Sequence, residues 1–354
     1  MAPSRSRFAP LVMDEVGIDR APYFDPQRQA WLITRAADIQ AVLRDARFGT
    51  PGMRPETHPT SVDAVVQPHH WWMSPAALRV LRPDPEVVGQ LGTLMTDRLR
   101  TLTGRYVGAS SATDEIDLVD DLIRPWCRDV AAALLGIPSG IVDRAEPLTR
   151  AIFIAAAFAG DDAARPDSEG DVSDGARATA RLMQLLQSSG SLDAPGDGLT
   201  IQALVALTQT MPTLIAAAFF LLRIDTQRWT ALQEPPRSTT GGPPGLDTLL
   251  QAAAPVRAVF RTALAEATVA EISIAAGDRV VLRLPDTGQF AFGDGRHRCA
   301  GAMLVRALFA EAMGVLGSTR SILLPRDVIH RARWVNGFAM NALVHLPARL
   351  ETAL

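Results

Sequence analysis

The sequence predicts a mainly helical protein with small β-sheets. The spacing of apolar residues over 85–102 predicts a helix, and 204–224 form a long helical run. The second of these runs is apolar nearly all round, which is typical of a helix buried in the middle of a core. A short alternating stretch at 30–34 predicts a strand.

Length and composition place these elements in a globular protein. With 354 residues and 47% hydrophobic content, the chain is long enough to bury a sizeable core. By length alone it could form one large domain or two of ordinary size.

Charge and hydropathy argue against two classes of partner. The net charge is −3 at pH 7 and both signs are interspersed, which disfavours a nucleic-acid partner. Residues 1–16 lack the apolar core of a signal peptide or anchor, and the longest clean apolar run, 214–222, is too short to span a bilayer. The two cysteines, Cys127 and Cys299, form no disulfide framework. We therefore predict a cytoplasmic protein without a membrane partner.

The stretch from Phe292 to Gly301 reads FGDGRHRCAG and runs directly into a helical run over 302–315. It places Cys299 just ahead of a helix, where the amide donors and the positive helix end favour thiolate over thiol. We expect its glycines to let the backbone turn tightly and approach a flat partner: Gly293, Gly295 and Gly301.

The residues around the cysteine are basic. Arg296, His297 and Arg298 would further favour the thiolate and suit an anionic cofactor. The residue types thus predict a metal–thiolate site, and the alternative is a basic surface loop with a free cysteine.

Read as FGxGxHxCxG, the stretch resembles the haem-binding loop of the cytochrome P-450 superfamily at every fixed position. The resemblance implies the P-450 fold in a single domain over 1–354, in which 1–20 form an N-terminal extension. It also implies that haem b lies between the central helix over 204–224 and this loop. It implies that the Cys299 thiolate binds iron and favours O–O cleavage, that His297 lies near a haem propionate, and that Phe292 packs beside the sulfur. Other residues that it assigns to the cofactor are Gly293, Gly301 and Ala206.

Weaker matches extend the resemblance over most of the chain. Residues 31–44 resemble the first sheet and helix of the family, and 117–138 its fourth helix, on which we expect Cys127 to be a small buried hydrophobe. Arg261 falls where relatives place a propionate-binding arginine. For the second propionate, His69 or His70 is a candidate, against a histidine in a surface loop, because the usual HxxxR pair is absent there.

The middle of the central helix departs from the family. Relatives carry AGx(D/E)T, in which acid and alcohol deliver protons; the equivalent residues here are Ala206–Thr210. The alcohol is kept as Thr210, whereas Gln209 replaces the acid and can hold water but cannot donate a proton as a carboxylic acid does. Leu207 in place of glycine narrows the space over the haem. Pro212 lacks the amide that would bond the carbonyl of residue 208, which predicts a kink and a free carbonyl.

A second departure removes a charged network. In the ExxR motif of the family, the two charged positions are here Thr248 and Gln251, and only 284–289 separate the sheet from the haem loop. In relatives, a longer loop at this place carries an arginine that completes a network with these two charges. Without that loop the two charges would be buried without a partner, so the loss of the loop agrees with the loss of both charges. The resemblance also places Val256, Arg257 and Leu207 in the substrate pocket, and Arg257 is a candidate for pairing with a substrate carboxylate.

The remaining segments read as connections and short helices. We predict a loop with short helical pieces over 48–82, a flexible connection over 104–113 and an acidic loop over 160–175. A helix is predicted over 176–187, a linker over 234–245 and a short helix over 246–254.

Three functional hypotheses follow from the resemblance. The first is haem–thiolate oxidation of a small lipophilic molecule in secondary metabolism, of monooxygenase or peroxygenase type, with electrons from a ferredoxin-type donor or oxygen from a peroxide. The second is a redox-neutral haem–thiolate catalyst, such as an isomerase, dehydratase or cyclase, which the change to Gln209 favours. The third is a non-enzymatic auxiliary partner of a biosynthetic enzyme.

Overall fold

The structure is a computed structural model that describes residues 20–49, 84–107, 115–157, 168–191, 198–225, 245–284, 289–319 and 321–351. Its helices, in chain order, are α1 (Ala36–Arg44), α2 (Pro85–Val107), α3 (π-helical over Val119–Ile123, then Arg124–Leu135), α4 (Ser139–Ala157), α5 (Ser168–Ser188), α6 (Gly198–Val205, π-helical over Ala206–Thr210, then Met211–Ile224), α7 (Leu246–Ala253), α8 (Ala302–Ser318) and α9 (Val328–Arg331).

The strands are short. They are β1 (Tyr23–Asp25), β2 (Ala30–Ile33), β3 (Phe48–Gly49), β4 (Glu115–Asp117), β5 (Ala258–Ala263), β6 (Ala267–Val269), β7 (Ile272–Ile274), β8 (Arg279–Arg283), β9 (Ile322–Leu323), β10 (Arg333–Asn336), β11 (Asn341–His345) and β12 (Pro347–Leu350). A five-stranded sheet has the order β1-β2-β8-β5-β3, in which only β2 and β8 are parallel. A three-stranded sheet, β4-β12-β9, and the hairpins β6–β7 and β10–β11 complete the strands of the described residues.

Helix α6 lies in the largest apolar cluster, which also includes α2, α3 and α8. Every residue from Met211 to Phe220 is buried, as expected for a helix that is apolar all round. Trp126 on α3 is fully buried, and its indole N–H donates to the Leu91 carbonyl at 2.7 Å. Cys127 is buried as predicted, and this burial raises the pKa of its thiol. These contacts hold the middle of α6 in a fixed position.

A second apolar cluster packs α1 onto the five-stranded sheet. Ile39, Val42 and Leu43 of α1 are buried against strand residues such as Ile33 and Val280. The last turn of α1 is thereby placed next to residues 294–295, which precede Cys299.

Three predicted connections are partly wrong where the structure describes them. The predicted loop over 48–82 begins with strand β3, because Phe48 and Gly49 pair with β5 at the edge of the five-stranded sheet. Residues 104–107 continue α2, because the packing of α2 against α8 outweighs the cost of roughly 1 kcal/mol that Gly104 carries inside a helix. Residues 168–175 already belong to α5, whose buried stripe of Ala178, Leu182 and Leu186 packs on α4. The remaining helices and strands predicted within the described ranges are present, with α6 starting at Gly198.

Some predictions fall outside the described residues. These are the loop over 50–82 with His69 and His70, the connections over 108–113 and 160–167, and the linker over 234–244. By length and composition alone, the helical stretch Thr200–Ile224 could cross a membrane, but 78% of its most apolar window is buried inside the protein.

Candidate active site

The main chain of the segment Phe292–Gly301, which we call the ligand loop, is folded back on itself. The Cys299 N–H donates to the Phe292 carbonyl at 2.7 Å, and the Arg298 N–H to the Gly295 carbonyl at 3.2 Å. Gly293 and Gly295 have φ values of 67° and 65°, which glycine adopts without strain. The loop therefore ends with Cys299 next to the start of α8.

The last turn of α1 holds the loop from outside. A Cβ atom on Gly295 would lie 2.3 Å from the Leu43 carbonyl oxygen, so only glycine fits there. The Asp294 carboxylate accepts hydrogen bonds from the Gly295 N–H at 2.7 Å, from Gln40 Nε2 at 3.1 Å and from Arg44 Nε at 2.9 Å. Burial by itself raises the pKa of Asp294, but these hydrogen bonds outweigh it and bring the pKa below its ordinary value of 3.8. The carboxylate is thus ionised and bonded at neutral pH.

The sulfur of Cys299 lies in a mixed environment. The residue is exposed by surface area, yet burial among protein atoms raises the pKa of the thiol. Both observations fit a side chain that is enclosed on most sides and open on one. The Gly301 N–H and the charges of Arg298 and Arg306 lower the pKa, but less than burial raises it. The Gly301 N–H and Arg298 thus act in the direction expected from the sequence, but desolvation, which the sequence did not reveal, outweighs them.

The third glycine of the motif behaves differently from the first two. Gly301 has a φ of −81°, which any residue adopts, so no left-handed backbone requires glycine there. Its N–H faces the Cys299 sulfur and its carbonyl accepts from the Val305 N–H at 2.8 Å.

Arg306 links the ligand loop to α7. Its Nε lies 3.0 Å from Asp247 Oδ1, and its guanidinium lies over the Phe292 ring, 4.4 Å from the centroid. Helix α7 is the element on which the two motif charges are replaced by Thr248 and Gln251, so this ion pair supplies a different connection at nearly the same place. Sequence reasoning missed Arg306, although an acid in the first turn of α7 and an arginine seven residues after Cys299 were available signals.

Arg261 is a buried cation on β5. It is 7% exposed, its Nη1 donates to the Phe260 carbonyl at 2.7 Å, and its Nε is buried without a hydrogen-bond partner. Within the part of the chain that the structure describes, no carboxylate pairs with it. Burial lowers the pKa of its guanidinium to about 10. A buried cation without an acidic partner can bind an anionic group through charge-assisted hydrogen bonds.

The π-helical segment Ala206–Thr210 of α6, which we call the central turn, contains residues that differ in burial. Leu207, Thr208 and Gln209 are buried, Thr210 is half-buried and Ala206 is exposed. Gln209 Nε2 donates to Thr149 Oγ1 on α4 at 3.0 Å, and Arg124 Nη1 on α3 donates to Gln209 Oε1 at 3.2 Å. The Gln209 amide is therefore bonded to two neighbouring helices.

The expectation of a free carbonyl beside Pro212 is wrong. Arg124 Nη1 lies 3.5 Å from the Thr208 carbonyl oxygen, at the long end of the hydrogen-bond range. The irregularity expected from Pro212 takes the form of the π-helical turn that ends two residues before it. Neither Arg124 nor Thr149 was predicted, because nothing in the sequence places positions 124, 149 and 209 together.

No protein-family model matches the chain. It is 25% identical over 383 residues to mycinamicin IV hydroxylase/epoxidase of Micromonospora griseorubida, covering 93% of this chain and 90% of that protein. It is also 25% identical over 386 residues to nocardicin C N-oxygenase of Nocardia uniformis subsp. tsuyamanensis, covering 96% and 94%.

Solved structures agree with these relatives. CYP109E1 of Bacillus megaterium, in complex with testosterone, matches with a TM-score of 0.73 at 18% identity, covering 98% of this chain and 99% of that one. P450BioI, in complex with an acyl carrier protein ligated to hexadec-9Z-enoic acid, matches with a TM-score of 0.70 at 17% identity, covering 91% and 92%. The chain therefore has the cytochrome P-450 fold.

The predicted P-450 fold is therefore confirmed, and the two relatives are named as oxygenating enzymes. The fold implies a haem cofactor, and the residues present fit one. The ligand loop offers one sulfur with an amide and two cations nearby, and Arg261 is a buried cation without an acid among the described residues. The described residues contain no group of three or more His, Cys, Asp or Glu that could hold a metal ion.

The residues predicted for the substrate pocket are largely buried. Leu207 and Arg257 are 5% and 3% exposed, and Val256 is half-buried and forms an isolated bridge to Met340. The Arg257 N–H donates to the Ala339 carbonyl at 2.7 Å. His297 lies half-buried in the short 3₁₀ turn of the ligand loop.

Proposed function

We propose that this P-450 is a haem–thiolate enzyme of the monooxygenase or peroxygenase type that oxidises a small lipophilic molecule in secondary metabolism. The observation that carries the proposal is the ligand loop, which the main chain and α1 hold in one shape with Cys299 at its end. The names of the two relatives, a hydroxylase/epoxidase and an N-oxygenase, support oxygenation of a natural product.

Each predicted residue has a role in this proposal. The Cys299 thiolate is the iron ligand, and its negative charge is stabilised by the Gly301 N–H and by Arg298 and Arg306. Arg261 pairs with one haem propionate and His297 lies near a propionate. The remaining contacts with haem b come from Phe292, Gly293, Gly301 and Ala206. When bound, the haem supplies an iron centre for oxygen chemistry, to which a thiolate gives electron density.

The residues of the central turn manage protons and water. The half-buried Thr210 hydroxyl can both donate and accept a hydrogen bond. Gln209 is bonded to Arg124 and Thr149 and carries no acidic proton, so it contributes only by holding water through its amide. We propose that Thr210 and bound water move the protons.

The substrate pocket is formed in part by Leu207, Val256 and Arg257. Arg257 is buried, as a side chain that binds a substrate carboxylate must be, and an arginine binds such a group through two parallel hydrogen bonds. We propose a small-molecule substrate, a cytoplasmic location and electrons from a ferredoxin-type donor or oxygen from a peroxide.

An absorption spectrum tests the proposal. Purified protein is loaded with haem, reduced with dithionite and exposed to carbon monoxide. We expect the red-shifted band of a thiolate-ligated haem, its loss in Cys299→Ser and its retention in Cys127→Ser. Retention of the band in Cys299→Ser would contradict Cys299 as the ligand. Failure of the natural chain to take up haem would overturn the enzymatic proposal and favour the auxiliary partner.

A redox-neutral reaction, such as isomerisation, dehydration or cyclisation, is the second candidate. The observation that favours it is the Gln209 amide, which replaces the proton-donating acid and is fixed by two helices. Gln209→Glu separates the two candidates. Oxygenation predicts that this change alters the turnover that consumes oxygen, whereas a redox-neutral enzyme turns over without oxygen or reductant and gains nothing from the acid.

A further inference from the structure

Three helices meet in one buried polar cluster at the central turn, and α6 is distant in sequence from the other two. The cluster consists of Arg124 on α3, Thr149 on α4, and Thr208 and Gln209 on α6. Arg124 is 8% exposed, Gln209 is 5% exposed, and the two threonines are fully buried. Polar groups at this depth destabilise a fold unless they are bonded, so their hydrogen bonds decide how the turn is held.

The direction of each hydrogen bond follows from the chemistry of the side chains. An arginine only donates, so the group of Gln209 that faces Arg124 at 3.2 Å is the carbonyl Oε1. The amide nitrogen must then be the donor to Thr149 Oγ1, at 3.0 Å. Thr149 in turn donates to the Glu146 carbonyl at 2.9 Å. Arg124 thereby sets the orientation of the Gln209 amide.

Arg124 also faces a carbonyl that the helix does not bond in the usual way. In a regular α-helix the N–H of residue 212 donates to the carbonyl of residue 208, but Pro212 has no N–H. The Thr208 carbonyl lies 3.5 Å from Arg124 Nη1 instead. A side chain of α3 thus takes the position of a missing backbone donor.

Acidic residues on the other side balance the charge of Arg124. Its Nε lies 2.8 Å from Asp120 Oδ1, and its Nη1 lies 3.5 Å from Glu146 Oε1. Glu146 also pairs with Arg150 at 2.8 Å, and the side chain of Arg150 is 46% exposed. The two acids thus offset the positive charge that the guanidinium brings into the buried cluster beside α6.

We propose that Arg124 is a positioning residue for the active site: it fixes the Gln209 amide and supports the Thr208 carbonyl, and so keeps Thr210 in place. The inference rests on the proposed function, in which Gln209 and Thr210 handle water and protons. Arg124 acts only through these neighbours. Without Arg124, the backbone of the central turn becomes more mobile. The pocket side chains of this turn, including Leu207, then also become more mobile.

The test compares Arg124→Gln with Arg150→Gln. Both variants remove one cation from Glu146, but Arg150 is not bonded to α6. The readouts are backbone hydrogen exchange over 206–213 and the affinity of the ferric haem protein for imidazole, which binds iron on the side opposite to the thiolate. We expect Arg124→Gln to speed exchange and tighten imidazole binding, each by about three- to tenfold, and Arg150→Gln to change neither. Equal effects of the two variants would overturn the proposal.

A rescue experiment distinguishes positioning from general destabilisation. Pro212→Ala restores the backbone donor to the Thr208 carbonyl, so the effect of Arg124→Gln on exchange should shrink roughly two- to tenfold in that background. Strictly additive effects would contradict the inference. If Arg124→Gln does not fold, Arg124→Lys takes its place in the same cycle, because lysine keeps the charge and loses the fork of donors.

The failure of this inference is distinguishable from failure of the proposed function. Hydrogen exchange in the cycle can be measured on the protein without haem, so it judges Arg124 even if no haem is bound. Absence of the carbon monoxide band would count against the proposed function alone.

Discussion

The ligand loop and the central turn of α6 hold their functional residues in opposite ways. In the loop, the backbone conformations of Gly293 and Gly295 and the Leu43 carbonyl fix the path of the chain. In the turn, side chains of α3 and α4 fix Gln209. Backbone geometry accepts few residue types, so it leaves a pattern in the sequence. Side-chain contacts between distant helices can be made by many combinations of residues, so they leave no recognisable pattern in the sequence.

The largest effect is expected from Gly295→Ala. The new Cβ would lie 2.3 Å from the Leu43 carbonyl oxygen and 3.0 Å from Arg44 Cα, both backbone atoms, at a φ of 65°. The overlap and the left-handed backbone together should lower the free energy of unfolding by about 3 kcal/mol or more. Denaturant unfolding and haem content measure the effect.

The matched control for this variant is Gly293→Ala. Its φ of 67° is nearly the same, but the nearest atom to a Cβ is 3.5 Å away. Only the backbone strain remains, about 1–2 kcal/mol. Equal losses at the two positions would mean that contact with α1 does not hold the loop.

The second largest effect is expected from Arg261→Met, which should stabilise the protein without haem but weaken haem binding. Arg261→Met removes a buried cation that has no acid among the described residues, so the protein without haem should gain about 1–3 kcal/mol in unfolding free energy. Haem binding should weaken about tenfold or more, because a propionate loses its partner. Unfolding of the haem-free protein and haem transfer to an acceptor protein measure the two effects.

The pH dependence of this penalty follows from the lowered pKa of Arg261. The folded value is about 10 against an ordinary 12.5, so the unfolded chain binds more protons between these two values. Stability therefore rises with pH across that window, and the penalty is fully present at neutral pH. Arg223→Met is the control: this arginine donates to the carbonyls of Leu316 and Thr319 at the end of α8, so its loss should destabilise the protein and leave haem affinity unchanged.

The smallest effect is expected at the ion pair between Arg306 and Asp247. Both side chains are substantially exposed, so Arg306→Gln should cost only about 0.2–1 kcal/mol. Because the charge of Arg306 lowers the pKa of Cys299, its removal should raise that pKa further. The pH dependence of Cys299 alkylation in haem-free protein reports the change, since Cys127 is buried. Asp247→Asn keeps the arginine and should not raise the pKa; a rise in both variants would contradict the argument.

The sequence was sufficient for the parts of the fold that depend on local pattern. The long α6, the helix after Cys299 and the short helix α7 all follow from apolar periodicity and helix-ending residues. The positive φ of Gly293 and Gly295 follows from the glycine spacing. The placement of Arg261 in a strand followed from the family resemblance, and its isolation from acids became visible only in the structure.

The remaining features depend on opposing electrostatic effects and on long-range contacts, neither of which can be read from one sequence. The pKa of Cys299 is raised because desolvation exceeds the effect of the nearby charges, and residue types do not give the size of either. Arg124 lies 85 residues from Gln209, and no periodicity connects them. The start of α5 was missed because acidic and glycine residues there are tolerated at the end of a helix whose later turns pack on α4.

The contact between α1 and the ligand loop has a consequence for how the protein is assembled. Arg44 and Asp294 bond across 250 positions of the chain. Closing a loop of this length costs conformational entropy before any stabilising contact forms. We therefore expect pairings of this kind to form late in folding. The ligand loop, which we propose to bind the haem, therefore takes its shape only after the five-stranded sheet has brought the two segments together. Cofactor capture is thus tied to the most non-local step of folding, and a chain that ends before Asp294 has no way to begin it.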